Sequence, residues 1–249
     1  MKVKSSDLFE KVVILSDVVS KKASRVCVAE GYVSTDGSIR TVLLKMYRKD
    51  MVVNHEHIWN ERRVLEYLRD SKTLTDQERL SFPLMCLKQH FHTLSILNPM
   101  PLISLLFLIR YDSLVLEESD TGISYITIAL QHIQGFALNE YLNRGDVTLT
   151  MLRRILVQVA QGIGYLHREC IIHRDIKCSN IIVESETGRA VIIDMSLACF
   201  IENKERRLSE LCGSFHSMAP EMICMEKPNY GLGLDWWSFG VIMYELIFG

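Results

Sequence analysis

The chain has 249 residues, enough for one large domain or two smaller lobes with cores of their own. Apolar residues make up 48% and charged residues 23%, and the formal net charge of -2 lacks the basic excess that a nucleic-acid partner favours. Seven cysteines lie scattered without a CxxC pair, which argues against a disulfide framework and a zinc cage and for a reducing compartment. The N-terminus "MKVKSSDLFEKVV" has no long apolar run of the signal-peptide kind, so a cytoplasmic location, extending to the nucleus, is expected.

The front of the chain reads as strands. "KVVILSDVV" and "SRVCVAEGYV" are rich in β-branched residues, "TDG" at 35–37 is a hairpin signal, and "SIRTVLLKMY" returns as a third strand. The period then changes: in "VVNHEHIWNERRVLEYLRD", Ile58, Val64, Leu65 and Leu68 recur at helical spacing between charges. Two apolar runs, "LMCLKQHF" and "ISYITIALQHI", are expected as further strands. The block between them, "LSILNPMPLISLLFLI" (94–109), carries two prolines and falls short of the ~20 apolar residues of a spanning helix, so membrane insertion is not expected. From Leu138 the pattern is helical, first "NEYL" and then "TLTMLRRILVQVAQGIGYLHREC", with Thr148 or Thr150 as N-cap. Short strands are expected at "NIIVES" and "AVIIDM" around a turn at Thr187–Gly188, and the chain closes on the apolar helix "GLDWWSFGVIMYELIFG".

Chemistry concentrates in "HRDIKCSN" (173–180) and in Asp194 of "IIDMSLA". Moving a phosphoryl group requires charge on the phosphates, metal ions held by an acid and an amide, and a base for the attacking hydroxyl. Asp175 suits the base and Lys177 the charge stabiliser, while Asn180 and Asp194 suit the metal. The bland alternative is a charged surface loop whose letters coincide by accident, which eight ordered letters in a strand–turn–strand context disfavour.

With "MAPE" (218–221) and "DWWSFGVIMYEL" (235–246), these phrases resemble those of a eukaryotic protein kinase of the serine/threonine branch. "NERRVL", "LCGS" and "DWWSFG" are most similar to the cyclic-nucleotide-dependent and ribosomal S6 kinase group. The resemblance implies an α+β, two-lobed fold: an N-terminal antiparallel sheet with one helix, and a mainly helical C-terminal lobe that stops at its central helix and is therefore incomplete. Its expected boundaries are an N-terminal extension at 1–11, an N-lobe at 12–133 with an apolar insertion at about 94–111, and a partial C-lobe at 134–249. It further implies ATP and Mg2+ as nucleotide and metal, a protein substrate and a regulatory partner. Lys45 would grip the nucleotide phosphates and Glu61 would pair with it, although Glu56 and Glu66 are rivals that only the phrase "EHIWNERRVL" sets aside. Leu130 would be the gatekeeper, with Gln131 to Ile133 as the hinge, and Val19, Lys21 and Val26 would line the nucleotide loop. Asp235 would hold the backbone of the catalytic loop.

Three departures stand out. "VVSKKASRV" places Val19, Lys21 and Ser24 where the family carries glycines, whose freedom lets backbone approach phosphates. Met195 and Ser196 replace a phenylalanine and a glycine; methionine is adaptable enough to keep the packing, whereas serine stiffens the segment. Glu210 stands where a phosphorylated threonine is usual, with Arg174 as its expected receiver and Ser209 as a neighbouring candidate phosphosite. One carboxylate charge against ~1.5 to 2 for phosphate makes Glu210 either a permanent weaker substitute or a residue that simply faces water. The expected function is a protein serine/threonine kinase, with a non-catalytic pseudokinase module as the alternative.

Overall fold

The computed structural model describes residues 2–5, 9–21, 23–35, 37–52, 56–70, 112–117, 122–145, 147–224 and 226–248. Contacts divide the chain into two compact units, Met1–Arg69 with Leu108–Ile133 and Asp70–Phe107 with Gln134–Gly249.

In the first unit, strands β1 (Lys2–Ser5), β2 (Phe9–Ser20), β3 (Ser24–Val33), β4 (Ile39–Arg48), β5 (Asp112–Glu117) and β6 (Ser124–Gln131) form one antiparallel sheet in the order β1-β5-β6-β4-β3-β2. The β3–β4 hairpin turns where "TDG" predicts it: Gly37 donates to the Val33 carbonyl at 3.0 Å and takes φ +65°, a region that glycine enters without cost. Alternation along β3 and β4 sends Cys27, Ala29, Val33, Val42, Leu44 and Met46 into one core with Phe9, Val12, Tyr125 and Ala129. On the other face, Lys45 reaches helix α1 (Glu56–Asp70), whose buried stripe is Ile58, Glu61, Val64, Leu65 and Leu68. The edge strand β2 exposes Leu15, Val18 and Val19 and slips register against β3 at three places, between Phe9 and Lys11, Ile14 and Ser16, and Asp17 and Val19.

Two expectations need correction here. The first eleven residues are not a simple extension: Lys2–Ser5 pairs with β5, and Phe9 opens β2 with only 3% exposure. A four-residue strand is too short to declare a period. Secondly, "DSLVLE", where no strand is expected, is β5, because its Ser-Leu-Val-Leu run fits a pleated ladder against β6. The strand expected at "LMCLKQHF" and the apolar block at 94–111 lie outside the described residues.

The second unit begins with β7 (Gly135–Ala137), helix α2 (Leu138–Leu142) and the long helix α3 (Leu149–Arg168). Thr148 is the cap that α3 uses: its side chain accepts from the Met151 N–H at 3.3 Å. The buried face of α3, Ile155, Val159, Ile163 and Leu166, packs on β8 (Ile171–Ile172), β10 (Ala190–Ile192) and helix α5 (Gly233–Phe248). Strand β9 (Ile181–Glu184) joins β7 and β10 in a three-stranded sheet, and β11 (Cys199–Phe200) pairs with β8. Around helix α4 (Pro220–Ile223), Ala219, Met222, Tyr230 and Leu234 form a smaller core. The almost wholly apolar α5 leaves Trp236, Trp237, Tyr244, Ile247 and Phe248 exposed. No helix among the described residues is long and apolar enough to cross a membrane, and the six described cysteines are free thiols.

Replacing Thr148 with Ala should cost about 1 kcal/mol of stability, and Thr150→Ala less than about 0.5, because only the first removes an N-cap. Denaturant midpoints of the two variants check this; equal losses would place the cap elsewhere.

Candidate active site

The loop between β8 and β9 carries most of the polar chemistry, and it is buried: His173, Arg174, Asp175 and Asn180 are all at most 9% exposed. Buried polar groups need partners, and Asp235 at the start of α5 supplies several. Its carboxylate accepts from the backbone N–H of His173 and of Arg174, each at 2.9 Å, and from His167 Nε2 at 2.8 Å. This anchor holds Arg174 at φ +67°, a left-handed conformation that a non-glycine residue adopts only when its surroundings enforce it. His173 in turn accepts from the Asp175 N–H at Nδ1 (3.3 Å), so its Nε2 carries the proton and donates to the Ile193 carbonyl at 3.0 Å.

Asp175 is the hub that this scaffold orients. Lys177 Nζ donates to its Oδ2 at 2.7 Å, and Asn180 Nδ2 donates to the same oxygen at 2.9 Å and to the Asp175 backbone carbonyl at 2.8 Å. Ser214 Oγ donates to Asp175 Oδ1 at 2.7 Å and accepts from Lys177 Nζ at 2.7 Å. Ser214 is a site residue that sequence reasoning missed. Its phrase "LCGS" served only as a likeness, and a serine 39 positions from Asp175 gives no local signal.

The two residues expected to hold a metal come together through backbone. The Ile193 N–H donates to the Asn180 carbonyl at 2.9 Å, which sets Asn180 beside Asp194. Asp194 takes φ +66°, and its Oδ1 accepts from the Ser196 N–H at 3.4 Å, while Met195 is buried at 4% exposure. No group of three or more His, Cys, Asp or Glu side chains able to hold a metal occurs among the described residues. The donor set is instead one carboxylate and one amide whose nitrogen is committed to Asp175, leaving the amide oxygen. Two hard oxygen donors suit a magnesium-like ion.

Arg174 sends its side chain the other way. Nε donates to the Leu197 carbonyl at 2.6 Å, and Nη1 donates to Glu210 Oε2 at 2.7 Å and to the Tyr230 hydroxyl at 3.2 Å. Burial opposes the Arg174 cation, but these neighbours outweigh it and the guanidinium pKa is pushed up. Glu210 therefore meets Arg174 instead of simply facing water, although its side chain stays 58% exposed. Tyr230, also unforeseen, donates to the Glu210 carbonyl at 2.8 Å, and burial raises its phenol pKa. Ser209 is exposed. Cys178, inside the loop, donates to Glu245 of α5 at 3.2 Å, and burial with this bond pushes its thiol up to about 12.

In the other unit, Lys45 Nζ meets Glu61 Oε1 at 2.6 Å. Glu61 is 1% exposed, whereas Glu66 pairs with Arg62 at 2.9 Å and Glu56 is exposed at the helix start, which settles the rivalry. Leu130 is 3% exposed, and Gln131 ends β6 ahead of Ile133. Val19 and Val26 are directly paired, so the β2–β3 ladder runs on to Ser20 opposite Arg25, and Lys21 donates to the Ser24 carbonyl at 2.8 Å to close a tight turn.

A sheet unit with a lysine–glutamate pair, and a helical unit with Asp175, Asn180 and Asp194 on adjacent loops, present the residue set that the resemblance to protein kinases implies. The protein kinase domain model matches residues 103–249, more than half of the chain, and the chain belongs to the protein kinase family. The match leaves out the strands that hold Lys45 and the helix that holds Glu61, so their pairing is an observation of the structure alone. The chain is 34% identical over 122 residues to the serine/threonine-protein kinase sid1 of Schizosaccharomyces pombe, 49% of this chain and 26% of that protein. It is 40% identical over 110 residues to a probable serine/threonine-protein kinase of Encephalitozoon cuniculi, 44% of this chain and 19% of that protein. A putative ribosomal protein S6 kinase alpha-2 of Caenorhabditis elegans is 32% identical over 124 residues, 49% of this chain and 16% of that protein. The chain thus spans less than a third of these relatives' own length.

Gly213 is the hinge of the Ser214 contact: it takes φ +98°, and a Cβ there would lie 2.5 Å from the Arg174 carbonyl oxygen. Gly213→Ala should therefore loosen the segment from 206 to 218 and speed limited trypsin cleavage after Arg206 and Arg207. Unchanged cleavage would mean that the segment absorbs the methyl group.

Proposed function

We propose that the chain is a protein serine/threonine kinase that transfers the γ-phosphoryl group of ATP to serine or threonine hydroxyls of protein substrates. The observation that carries the reading is the saturation of Asp175. A carboxylate offers about four lone-pair sites, and Ser214, Lys177 and Asn180 occupy three of them. The remaining site, on Oδ1, is where an incoming hydroxyl would deliver its proton as the new O–P bond forms and the bond to ADP breaks. Lys177 sits against both Asp175 and Ser214 and would neutralise charge at the transferred group. Lys45, fixed by Glu61, would hold the nucleotide phosphates. Asn180 and Asp194 would hold Mg2+, which when bound neutralises the phosphates and aligns them.

The Arg174–Glu210 ion pair supports a second element of the reading. A resident carboxylate would keep the segment after Asp194 in place without an added phosphate, giving partial activity with no upstream kinase; Ser209 is proposed as an additional phosphosite. The S6-kinase-like subgroup is proposed on "NERRVL", "LCGS" and "DWWSFG" together with the relative of that name. A regulatory partner is proposed too, as is a cytoplasmic and nuclear location suited to free thiols.

Purified protein given Mg-ATP and a basic serine peptide should transfer phosphate, and Asp175→Asn should lower the rate by roughly 10²–10⁴-fold, as loss of a general base does. Asp194→Asn should abolish it. Absence of transfer by the unaltered chain, with Mg-ATP bound, would favour a pseudokinase. Glu210→Ala should reduce transfer several-fold, and Glu210→Asp should restore part of it; equal rates would mean that the pair holds nothing in place.

A further inference from the structure

The segment that follows Asp194 has to be held where Ser214 meets Asp175, and an exposed carboxylate is a weak tether for it. Glu210 keeps 58% of its side chain in water, against 4% for Arg174. Water and salt screen a charge that exposed, so the ion pair contributes little by itself to fixing the backbone. The same stretch has a second tether, and it is neutral.

Tyr230, between α4 and α5, grips the segment twice. Its backbone forms an antiparallel bridge with Leu208: the Leu208 N–H donates to the Tyr230 carbonyl at 2.8 Å, and the Tyr230 N–H donates to the Leu208 carbonyl at 3.1 Å. The Leu208 side chain packs against the small core of Ala219, Met222, Tyr230 and Leu234. Two residues further on, the Tyr230 hydroxyl donates to the Glu210 carbonyl at 2.8 Å and accepts from Arg174 Nη1 at 3.2 Å. A hydroxyl has one proton and two lone pairs. With its proton given to Glu210, one lone pair is left for Cys212, whose Sγ lies 3.7 Å away and must be the donor. Burial raises the Cys212 pKa and keeps that proton on the sulfur.

All three capacities of the hydroxyl are therefore used, on residues 174, 210 and 212, and the tyrosine that carries it is buried. From Cys212 the chain needs only the turn at Gly213 to bring Ser214 onto Asp175. Neutral bonds between buried partners are little screened, and removing the hydroxyl would leave the Glu210 carbonyl and an Arg174 N–H without that partner.

We propose that Tyr230 is the positioning residue that seats the Ser214 segment on the catalytic loop, with the Arg174–Glu210 pair as a secondary tether. The proposal rests on the kinase reading only for its consequence on transfer, since the seating is measured without nucleotide.

Limited trypsin cleavage after Arg206 and Arg207 reports the seating, and steady-state transfer to a saturating basic serine peptide reports its effect. Tyr230→Phe keeps the ring in its core and removes only the hydroxyl. It should speed cleavage roughly tenfold and lower kcat by a similar factor, with the ATP KM within about twofold of the unaltered value. Glu210→Ala should change cleavage and kcat by only about threefold. In Tyr230→Phe the segment hangs on the ion pair, so raising salt from about 0.05 to 0.5 M should speed its cleavage several-fold beyond the change in the unaltered chain. Adding Glu210→Ala to that variant should erase the salt effect, which a general loosening of the core would not do. Should Tyr230→Phe not fold, hydrogen exchange of Glu210→Ala carries the test: the Leu208 amide should exchange within about threefold of its rate in the unaltered chain. Two results would overturn the proposal: Tyr230→Phe cleaved no faster than Glu210→Ala, or a Leu208 amide that Glu210→Ala sets free. Absence of transfer by every protein, with cleavage as expected, would overturn the kinase reading and leave the seating in place.

Discussion

The anchoring of the catalytic loop by Asp235 is the constraint on which the helical unit depends. One carboxylate, fully buried, accepts two consecutive backbone N–H groups and a histidine. A buried carboxyl group in such a place is stable only because each of its partners is itself fixed, and each partner here is fixed by packing: His167 by α3, the loop by β8. The strained backbone at Arg174 follows from this bond, and from that backbone follow opposite directions for two adjacent side chains. Asp175 turns toward Lys177 and Ser214, while Arg174 turns toward Glu210 and Tyr230. A single anchor thus sets both the carboxylate proposed as the base and the arginine that meets Glu210.

The sheet unit is organised on a different principle. Its polar element, Lys45 with Glu61, is a buried ion pair set among apolar rows, and it is the helix period that brings the glutamate inward. Glu61 lies on the same stripe as Ile58, Val64, Leu65 and Leu68, so it is buried by its position and made tolerable by its partner. Around this pair the β3–β4 and β4–β6 ladders run in unbroken register. The β2–β3 ladder extends through the stretch where a glycine-rich loop would part from it, and the turn is closed by a Lys21–Ser24 hydrogen bond and not opened for a ligand's phosphates.

What could be read from sequence was whatever is local or periodic. Asp175, Lys177 and Asn180 fall within six positions, α1 and α3 announce themselves by apolar spacing, and Thr148 and Thr150 are cap candidates by chemistry alone. Residues whose roles arise from long closures were not legible. Ser214 reaches Asp175 across 39 positions, Tyr230 reaches Arg174 across 56, and neither carries a letter unusual for a surface segment. Two strands of the larger sheet escaped for another reason: Lys2–Ser5 and Asp112–Glu117 are defined by each other, since their pairing closes residues far apart in the chain. The rivalry among Glu56, Glu61 and Glu66 shows the middle case, in which spacing contained the answer but only burial could display it.

The three register slips of β2 have a consequence for how this protein behaves at high concentration. An edge strand of twelve residues with Leu15, Val18 and Val19 exposed is the kind of surface that recruits a strand from another molecule. Such recruitment needs a run of evenly spaced amides and carbonyls, and each slip breaks the run and twists the edge. No stretch of β2 longer than a few residues offers an incoming chain an unbroken template. The irregularities blunt an apolar rim that would otherwise be a template for a strand from another copy.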